Sequence, residues 1–357
     1  MKKIHDSLLL IAAVVCCIMI PLSAQAQSAK SGAATAGSGD TDSTTRRHAD
    51  VQNIGNRDVA GRIHRVLPNM VSLEQEIAQG QQLATEFEKT AKLLADPIIT
   101  EYIDRLGQNL VTHSDAKVPF HIKVVDADEA NAFVFRGGFL YVNKGLILDS
   151  DSESELAAAM AREIAHVCAR HDTRLQSEKQ YLQIATPPVP AVGQASQTAI
   201  QNATNLNLDL QLLGKTREFE MEADQLGIQY LWNTGYDPNA FLSYLEKMRA
   251  KEKSGPERSA EYFRTRPPTA ARIAQCLQEQ KALPEKDSYI TNSSEFDRIK
   301  ARLLAAANTQ KSGYPESRQS AVGRNYCCWL VCAEKNNRGS AHLSMRKPAV
   351  LLLPTAD

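Results

Sequence analysis

Ala161-Arg162-Glu163-Ile164-Ala165-His166 is the stretch that decides the fold of this chain, and it lies inside a segment with helical spacing. Ser152 and Glu155 precede it in the pattern of a capping box, which marks the start of a helix. Residues 162 and 166 stand one turn apart and about 40° from each other in projection, so both side chains reach one point over the same face. Glu163 is turned aside, where its carboxylate can meet a water held at that point.

A zinc-binding helix of the His-Glu-x-x-His type places two histidines at this spacing, and its Glu activates the metal-bound water. Glu163 and His166 stand where the base and the second ligand belong, whereas Arg162 stands where the first histidine should be. A guanidinium keeps its proton and offers only hydrogen-bond donors, so Arg162 cannot coordinate a metal. The stretch therefore indicates an ancestry more securely than an activity.

A zincin also needs a third ligand from elsewhere, and the segment Glu220-Met221-Glu222-Ala223-Asp224 can supply it. Glu220 and Asp224 lie one turn apart on a second predicted helix, so Glu220 can face the metal while Asp224 orients an imidazole. Without a metal, Arg162 should project toward Glu220, which predicts a charge-assisted pair between them in the place of zinc. A di-iron bundle would need a second Glu-x-x-His, which the chain lacks. On a continuous helix His171 would point about 140° away from His166, which predicts a capping or hydrogen-bonded histidine.

Several further motifs occur in a fixed order between residues 73 and 304. They are Asp96-Pro97, Tyr102, Leu106-Gly107, Asn131-Ala132-Phe133, Gly137-Gly138, Arg170-His171, Glu220-x-x-Ala223-Asp224 with Gly227, Gly235-Tyr236-Asp237-Pro238, and Arg264-Thr265-Arg266-Pro267 with Arg272. Together with the helix around Glu163, these motifs resemble metallopeptidase family forty-eight. The resemblance implies an α+β fold that is mostly helical with a small sheet, a zincin-like (gluzincin) metallopeptidase domain.

The resemblance also assigns roles to residues of one zinc site. His166 and Glu220 would be zinc ligands, and Glu163 would be the general base. Asp224 would support a ligand from behind, while Arg266 and Arg272 would lie at the cleft.

Three positions depart from the pattern of the family, and each carries an arginine. Arg162 replaces the first zinc ligand, Arg266 replaces a cleft histidine, and Arg136 replaces the proline usual before Gly137-Gly138. Arg136 lies near the strand that family members use to align an extended substrate. Each change is one nucleotide from the family residue, which indicates either a gene that has drifted or an error in the sequence.

The remaining pattern predicts mostly helices. Alternating residues predict a strand over residues 120–124, and two extended runs flank Gly137-Gly138 as in a tight connection between strands. A proline cluster at residues 187–190 and the small polar residues that follow, up to residue 207, are typical of a mobile loop. Apolar residues recur at helical spacing over residues 73–94, 97–112, 217–232, 238–249, 269–280 and 294–307.

The ends of the chain differ in composition from its middle. Residues 1–26 read as a signal peptide, with a basic start, an apolar run and the cleavage pattern Ala24-Gln25-Ala26; an uncleaved anchor is the alternative. Residues 27–57 are small and polar and predict a disordered tether. The peptidase-like domain is expected over residues 58–310, and residues 311–357 form a tail without assignment.

Charge and cysteine content exclude some classes of function. The chain has 41 basic and 41 acidic residues, which gives no electrostatic reason to expect nucleic acid as a partner. Cys168 and Cys276 are isolated, and three more cysteines crowd residues 327–332, a poor fit to a disulfide framework or a Cys-x-x-Cys zinc site.

Two functions follow from these observations. One is an exported, periplasmic zinc-dependent metalloendopeptidase that acts on polypeptides, with Arg162 leaving its activity in question. The other is a non-catalytic relative that binds unfolded or envelope proteins in the same cleft. Peripheral contact with a membrane is compatible with both functions.

Overall fold

The computed structural model describes residues 50–60, 68–185, 194–254 and 269–312, and for residues 194–208, 252–254 and 307–312 it describes the backbone alone. The predicted signal peptide, most of the predicted tether, Arg266 and the tail after residue 312 lie outside the described residues. Within them, no helix is long and apolar enough to cross a membrane.

The described chain is mostly helical and carries one small sheet, so the predicted α+β class is confirmed. The strands are β1 (His121–Val125), β2 (Ala132–Phe135) and β3 (Phe139–Asn143). The helices are α1 (Leu73–Glu88), α2 (Pro97–Thr112), α3 (Lys144–Asp149), α4 (Glu153–Cys168), α5 (His171–Ala185), α6 (Gln194–Thr234), α7 (Asn239–Ser254), α8 (Thr269–Ala282) and α9 (Ser294–Ser312).

The sheet has the order β1-β3-β2, with β3 in the centre. β1 runs parallel to β3, and β2 pairs antiparallel with it after the turn Arg136-Gly137-Gly138. Both glycines have positive φ, of 76° and 95°, and this conformation explains why they are glycines. The predicted tight connection is therefore confirmed, and β2 lies at an edge of the sheet.

Helix α4 forms the centre of the fold, since nearly all of its residues are buried. Ser152 caps it by accepting a hydrogen bond from the Glu155 backbone N–H, while the Glu155 carboxylate accepts from the N–H of Asp151. Helix α6 crosses α4 closely at Gly227, where an added Cβ would lie 3.1 Å from the Cα of Arg162. A small residue at position 227 therefore sets how near the two helices of the site approach each other.

Two predictions of local structure need correction, and one helix was missed. The helix predicted over residues 73–94 ends at Glu88, because Leu93 forms a β-bridge to Val125 instead. Residues 194–207, predicted as part of a mobile loop, belong to the long helix α6. The short helix α3 was not predicted.

The predicted tether is also wrong at its last residues, 50–57. Val51 is 2% exposed and packs in the main core. The Arg57 guanidinium donates to Asp115 at 2.6 Å and to Gln229 at 2.7 Å, all three side chains being buried. The burial of Val51 and the hydrogen bonds of Arg57 thus order residues 50–57, although their polar composition alone predicts disorder.

Candidate functional site

The site residues predicted on α4 and α6 come together in the structure. Arg162 is 1% exposed, and its guanidinium donates through Nη1 to Glu163 Oε1 at 2.5 Å and through Nη2 to Glu220 Oε2. Its Nε lies 3.3 Å from Asp224 Oδ1, a charge contact without hydrogen-bond geometry. The predicted contact between Arg162 and Glu220 is therefore confirmed.

The charge of Arg162 stabilises a group of buried carboxylates. Glu163, Glu220 and Asp224 are 8%, 3% and 0% exposed, and they converge on one side of α4. Burial opposes the charged form of Arg162, but the attraction of Glu220 and Glu163 outweighs it and raises the pKa of the guanidinium well above its ordinary value. Arg162 is thus a permanent cation at the position where the resemblance places a metal ion.

Arg272 provides a second buried cation, but it does not line the cleft as the resemblance implied. Its side chain is fully buried and holds Asp224 with two hydrogen bonds, Nε to Oδ2 at 2.6 Å and Nη2 to Oδ1 at 2.8 Å. This paired geometry is characteristic of a strong arginine–carboxylate contact. Arg272, which lies on α8, therefore supports Asp224 from the buried side.

His166 contacts His171, although the sequence predicted that His171 would point away from it. Arg170 has a φ of +53°, which breaks the helix after Cys168, so His171 starts the new helix α5 and turns back. Its Nδ1 lies 3.0 Å from Nδ1 of His166, and its Nε2 lies 3.0 Å from Glu222 Oε2. The expected direction of His171 was wrong because the helix does not continue, whereas its role as a hydrogen-bonded histidine is confirmed.

The surroundings of His171 favour its neutral form. The ring is 1% exposed and stacks on Phe219, with centroids 4.7 Å apart. Burial lowers the pKa of His171, although the neighbouring Glu222 opposes this shift. Arg174 also binds Glu222, at 3.1 Å, and supplies the positive charge that this carboxylate requires.

Sequence reasoning did not assign Glu222 and Arg174 to the site. Glu222 stands between Glu220 and Asp224 in the sequence. Residues two apart on a helix do not share a face, so the Glu222 side chain points to another side of α6. The signal that could have identified it is the Arg170-His171 pair of the resemblance, because a buried histidine beside the site needs an acceptor.

Arg136, the third departure from the family pattern, does not reach the site. It is 8% exposed, and its guanidinium donates to Asp172 at 2.6 Å and to Gln176 at 2.6 Å, both on α5. The substitution therefore fastens the turn after β2 to α5.

The donor set at the site does not fit a zinc ion. A catalytic zinc site uses three protein ligands and one open position. Of the residues implied as ligands, His166 and Glu220 remain, and Glu220 already accepts from Arg162. In the described parts of the chain, no group of three or more His, Cys, Asp or Glu side chains is arranged to hold a metal ion.

Comparison with known proteins places these features in context. The sequence profile of Peptidase family M48 matches residues 97–280. Over 257 residues the chain is 32% identical to the beta-barrel assembly-enhancing protease of Escherichia coli (strain K12), a match that covers 68% of this chain and 51% of that protein. Over 192 residues it is 34% identical to a putative beta-barrel assembly-enhancing protease of Vibrio cholerae, covering 51% and 40%.

A mitochondrial metalloendopeptidase OMA1 from Schizosaccharomyces pombe is 31% identical over 156 residues, 43% of this chain and 45% of that protein. The chain spans about half the length of the curated relatives it matches.

Proposed function

The chain belongs to Peptidase family M48, and from this membership we propose that it is an exported relative that binds polypeptides without hydrolysing them. The family that the sequence motifs resemble is therefore confirmed. Family membership supports a protein of the metalloprotease type, and the site geometry supports the loss of hydrolysis.

The observation that carries the proposal is the double contact of the buried Arg162 guanidinium with Glu163 and Glu220. The zinc ion implied by the family would supply a Lewis acid and a reactive water. A cation that cannot accept a lone pair supplies neither. Glu163, the expected base, has one carboxylate oxygen engaged by Arg162, and Glu220, the expected ligand, is engaged in the same way.

Edge strand β2 supports polypeptide binding. The backbone N–H of Asn143 donates to the carbonyl of Asn131, which sets the alternation of the β2–β3 ladder. By this alternation, Ala132 and Val134 direct their backbone groups away from β3. No strand of the described residues pairs with that side of β2, so an extended chain could add there.

The proposed clients and compartment rest on two separate observations. The first 26 residues have the pattern of a signal peptide. Two relatives carry names that refer to beta-barrel assembly. We therefore propose unfolded or envelope polypeptides as clients and the periplasm as the compartment. N-terminal sequencing of protein from the envelope fraction should find a start near Gln27, and an intact Met1 in a cytosolic pool would contradict export.

The function is tested by measuring hydrolysis and binding on the same protein. A permanently unfolded polypeptide, made by reducing and alkylating a secreted protein, serves as substrate and as fluorescent ligand. We expect binding in anisotropy titrations and no cleavage on gels, with or without added Zn²⁺. Substantial cleavage that a chelator abolishes would refute the non-hydrolysing function and favour the active metalloendopeptidase.

A pair of variants at one position tests the edge strand. Val134→Pro removes an outward backbone N–H and leaves the bonds to β3 intact, so affinity should fall about 2- to 10-fold. Val134→Thr keeps the N–H and serves as the matched control, with unchanged affinity expected. Equal affinity of the two variants would exclude strand addition at β2.

A further inference from the structure

The residues of edge strand β2 carry none of the features that keep an edge strand unpaired. Its sequence is Ala132-Phe133-Val134-Phe135, without a charged residue or a proline. Natural proteins place such residues on exposed edges to prevent another chain from adding there. The composition of β2 therefore favours the strand addition proposed above.

Phe133 ends a row of side chains that crosses one face of the sheet. It lies opposite Tyr141 of β3, which in turn lies opposite Lys123 of β1. The rings of Phe133 and Tyr141 stack with centroids 5.4 Å apart and planes 17° apart. Phe87 of α1 lies against both rings at steep angles, with centroids 5.3 and 4.7 Å away.

The Phe133 ring remains accessible on one side. Tyr141 is 1% exposed, whereas Phe133 is only partly buried. Because Tyr141 covers one face of the Phe133 ring from the side of β3, the opposite face of that ring points to the unpaired side of β2. An added polypeptide would therefore lie next to this face.

The register of the sheet determines which residue of an added chain meets Phe133. An antiparallel ladder is the more stable kind per residue, and it places one client residue directly opposite Phe133. The backbone of Phe133 bonds toward β3, so this is a non-hydrogen-bonded pair, in which the two side chains approach most closely. The client side chain would share the face of Phe133 and continue the row that begins at Lys123 and Tyr141.

We infer that Phe133 is a specificity-determining residue, which selects extended segments that carry an aromatic residue opposite its ring. Aromatic pairs across strands stabilise a sheet beyond the apolar area that they bury. The client residues on either side point to the other face of the sheet, so the preference concerns a single position of the segment. The inference deepens the proposed function and rests on its strand addition at β2, not on the loss of hydrolysis.

A double-mutant cycle measures this contact directly. The ligands are fluorescent threonine peptides flanked by lysines, with a single guest residue that is either phenylalanine or alanine, and anisotropy gives the affinity. The phenylalanine peptide should bind the unsubstituted protein about 2- to 10-fold more tightly than the alanine peptide. In Phe133→Ala most of this preference should disappear. An equal preference in the two proteins would overturn the inference.

Val134→Ala is the matched control, because Val134 follows Phe133 on the same strand but points to the other face, where it packs against the main core. The preference for phenylalanine should remain in Val134→Ala. Its loss there, with Phe133→Ala unaffected, would show that the guest residue faces α4 and would also overturn the inference. Urea denaturation checks that the variants fold. If Phe133→Ala does not, Phe133→Leu keeps an apolar side chain and should lower the preference as well.

Val134→Pro and Val134→Thr, titrated with the phenylalanine peptide, separate this inference from the proposed function. Weaker binding by Val134→Pro, together with an unchanged preference in Phe133→Ala, would keep strand addition and reject the role of Phe133. Equal binding by the two Val134 variants would reject strand addition, and the inference with it.

Discussion

Replacing Arg162 with methionine should destabilise the protein strongly. Methionine fills a similar volume but carries no charge, so Glu163 and Glu220 would lose the cation that both contact, whereas Asp224 would keep Arg272. Arg162 and Glu220 are 1% and 3% exposed, so water cannot replace the lost partner. Breaking one side of a buried ion pair costs about 3–5 kcal/mol. That is a large fraction of the roughly 5–15 kcal/mol by which a domain is stable.

Urea denaturation at pH 7.5 measures this free energy of unfolding. Arg302→Met is the matched control, because Arg302 pairs with Asp96 at 2.6 Å but its side chain is 48% exposed. An exposed pair contributes about 0–1 kcal/mol, so the control should lie close to the unsubstituted protein. Arg162→Met combined with Glu220→Met should recover part of the loss, since it removes the unpaired charge. A loss for Arg162→Met no larger than that of the control would refute the claim that the buried Arg162 guanidinium stabilises the fold.

Three further predictions concern the same helices. Arg162→His should restore weak zinc binding with incomplete peptidase activity, because the resemblance implies that Arg266 replaces a cleft histidine and would oppose the charge of the metal. Metal analysis after dialysis and a peptidase assay check this. Gly227→Ala should cost about 1–3 kcal/mol, because the added Cβ would lie 2.8 Å from the Phe241 ring and 3.1 Å from the Arg162 backbone. Gly214→Ala on the same helix meets nothing within 4 Å and should stabilise by about 0.5–1 kcal/mol, as urea denaturation can measure. Burial raises the pKa of the Cys168 thiol to about 12, so iodoacetamide at pH 8 should leave Cys168 unmodified in the folded protein and label it in urea, by peptide mass spectrometry.

The pairing of the two site helices could be predicted from the sequence because it depends on local spacing. Residues one helical turn apart share a face whatever the rest of the chain does, which placed Arg162 beside His166 and Glu220 beside Asp224. The missing ligand then left an arginine facing a carboxylate. Charge complementarity in a buried place sufficed to predict their contact.

The features that were missed depend on tertiary contacts or on single backbone conformations. The backbone of Arg170 has a left-handed conformation that turns the chain before His171, and hydrophobic periodicity cannot predict such a conformation. The burial of Arg272 behind Asp224 depends on how α8 packs on α6. Arg57 is ordered by Asp115 and Gln229, which lie 58 and 172 residues away in sequence, and composition cannot reveal such contacts.

The direct test of the central claim is the zinc content of the unsubstituted protein. The protein is dialysed against Zn²⁺ buffered by a weak chelator, with Arg162→His treated in parallel, and the metal bound per chain is measured. The account predicts no stoichiometric zinc in the unsubstituted protein, because the Arg162 guanidinium holds Glu163 and Glu220 at the position of the ion. One zinc ion per chain, retained against the chelator, would contradict the account. It would show that other residues complete the zinc site in the absence of the first histidine.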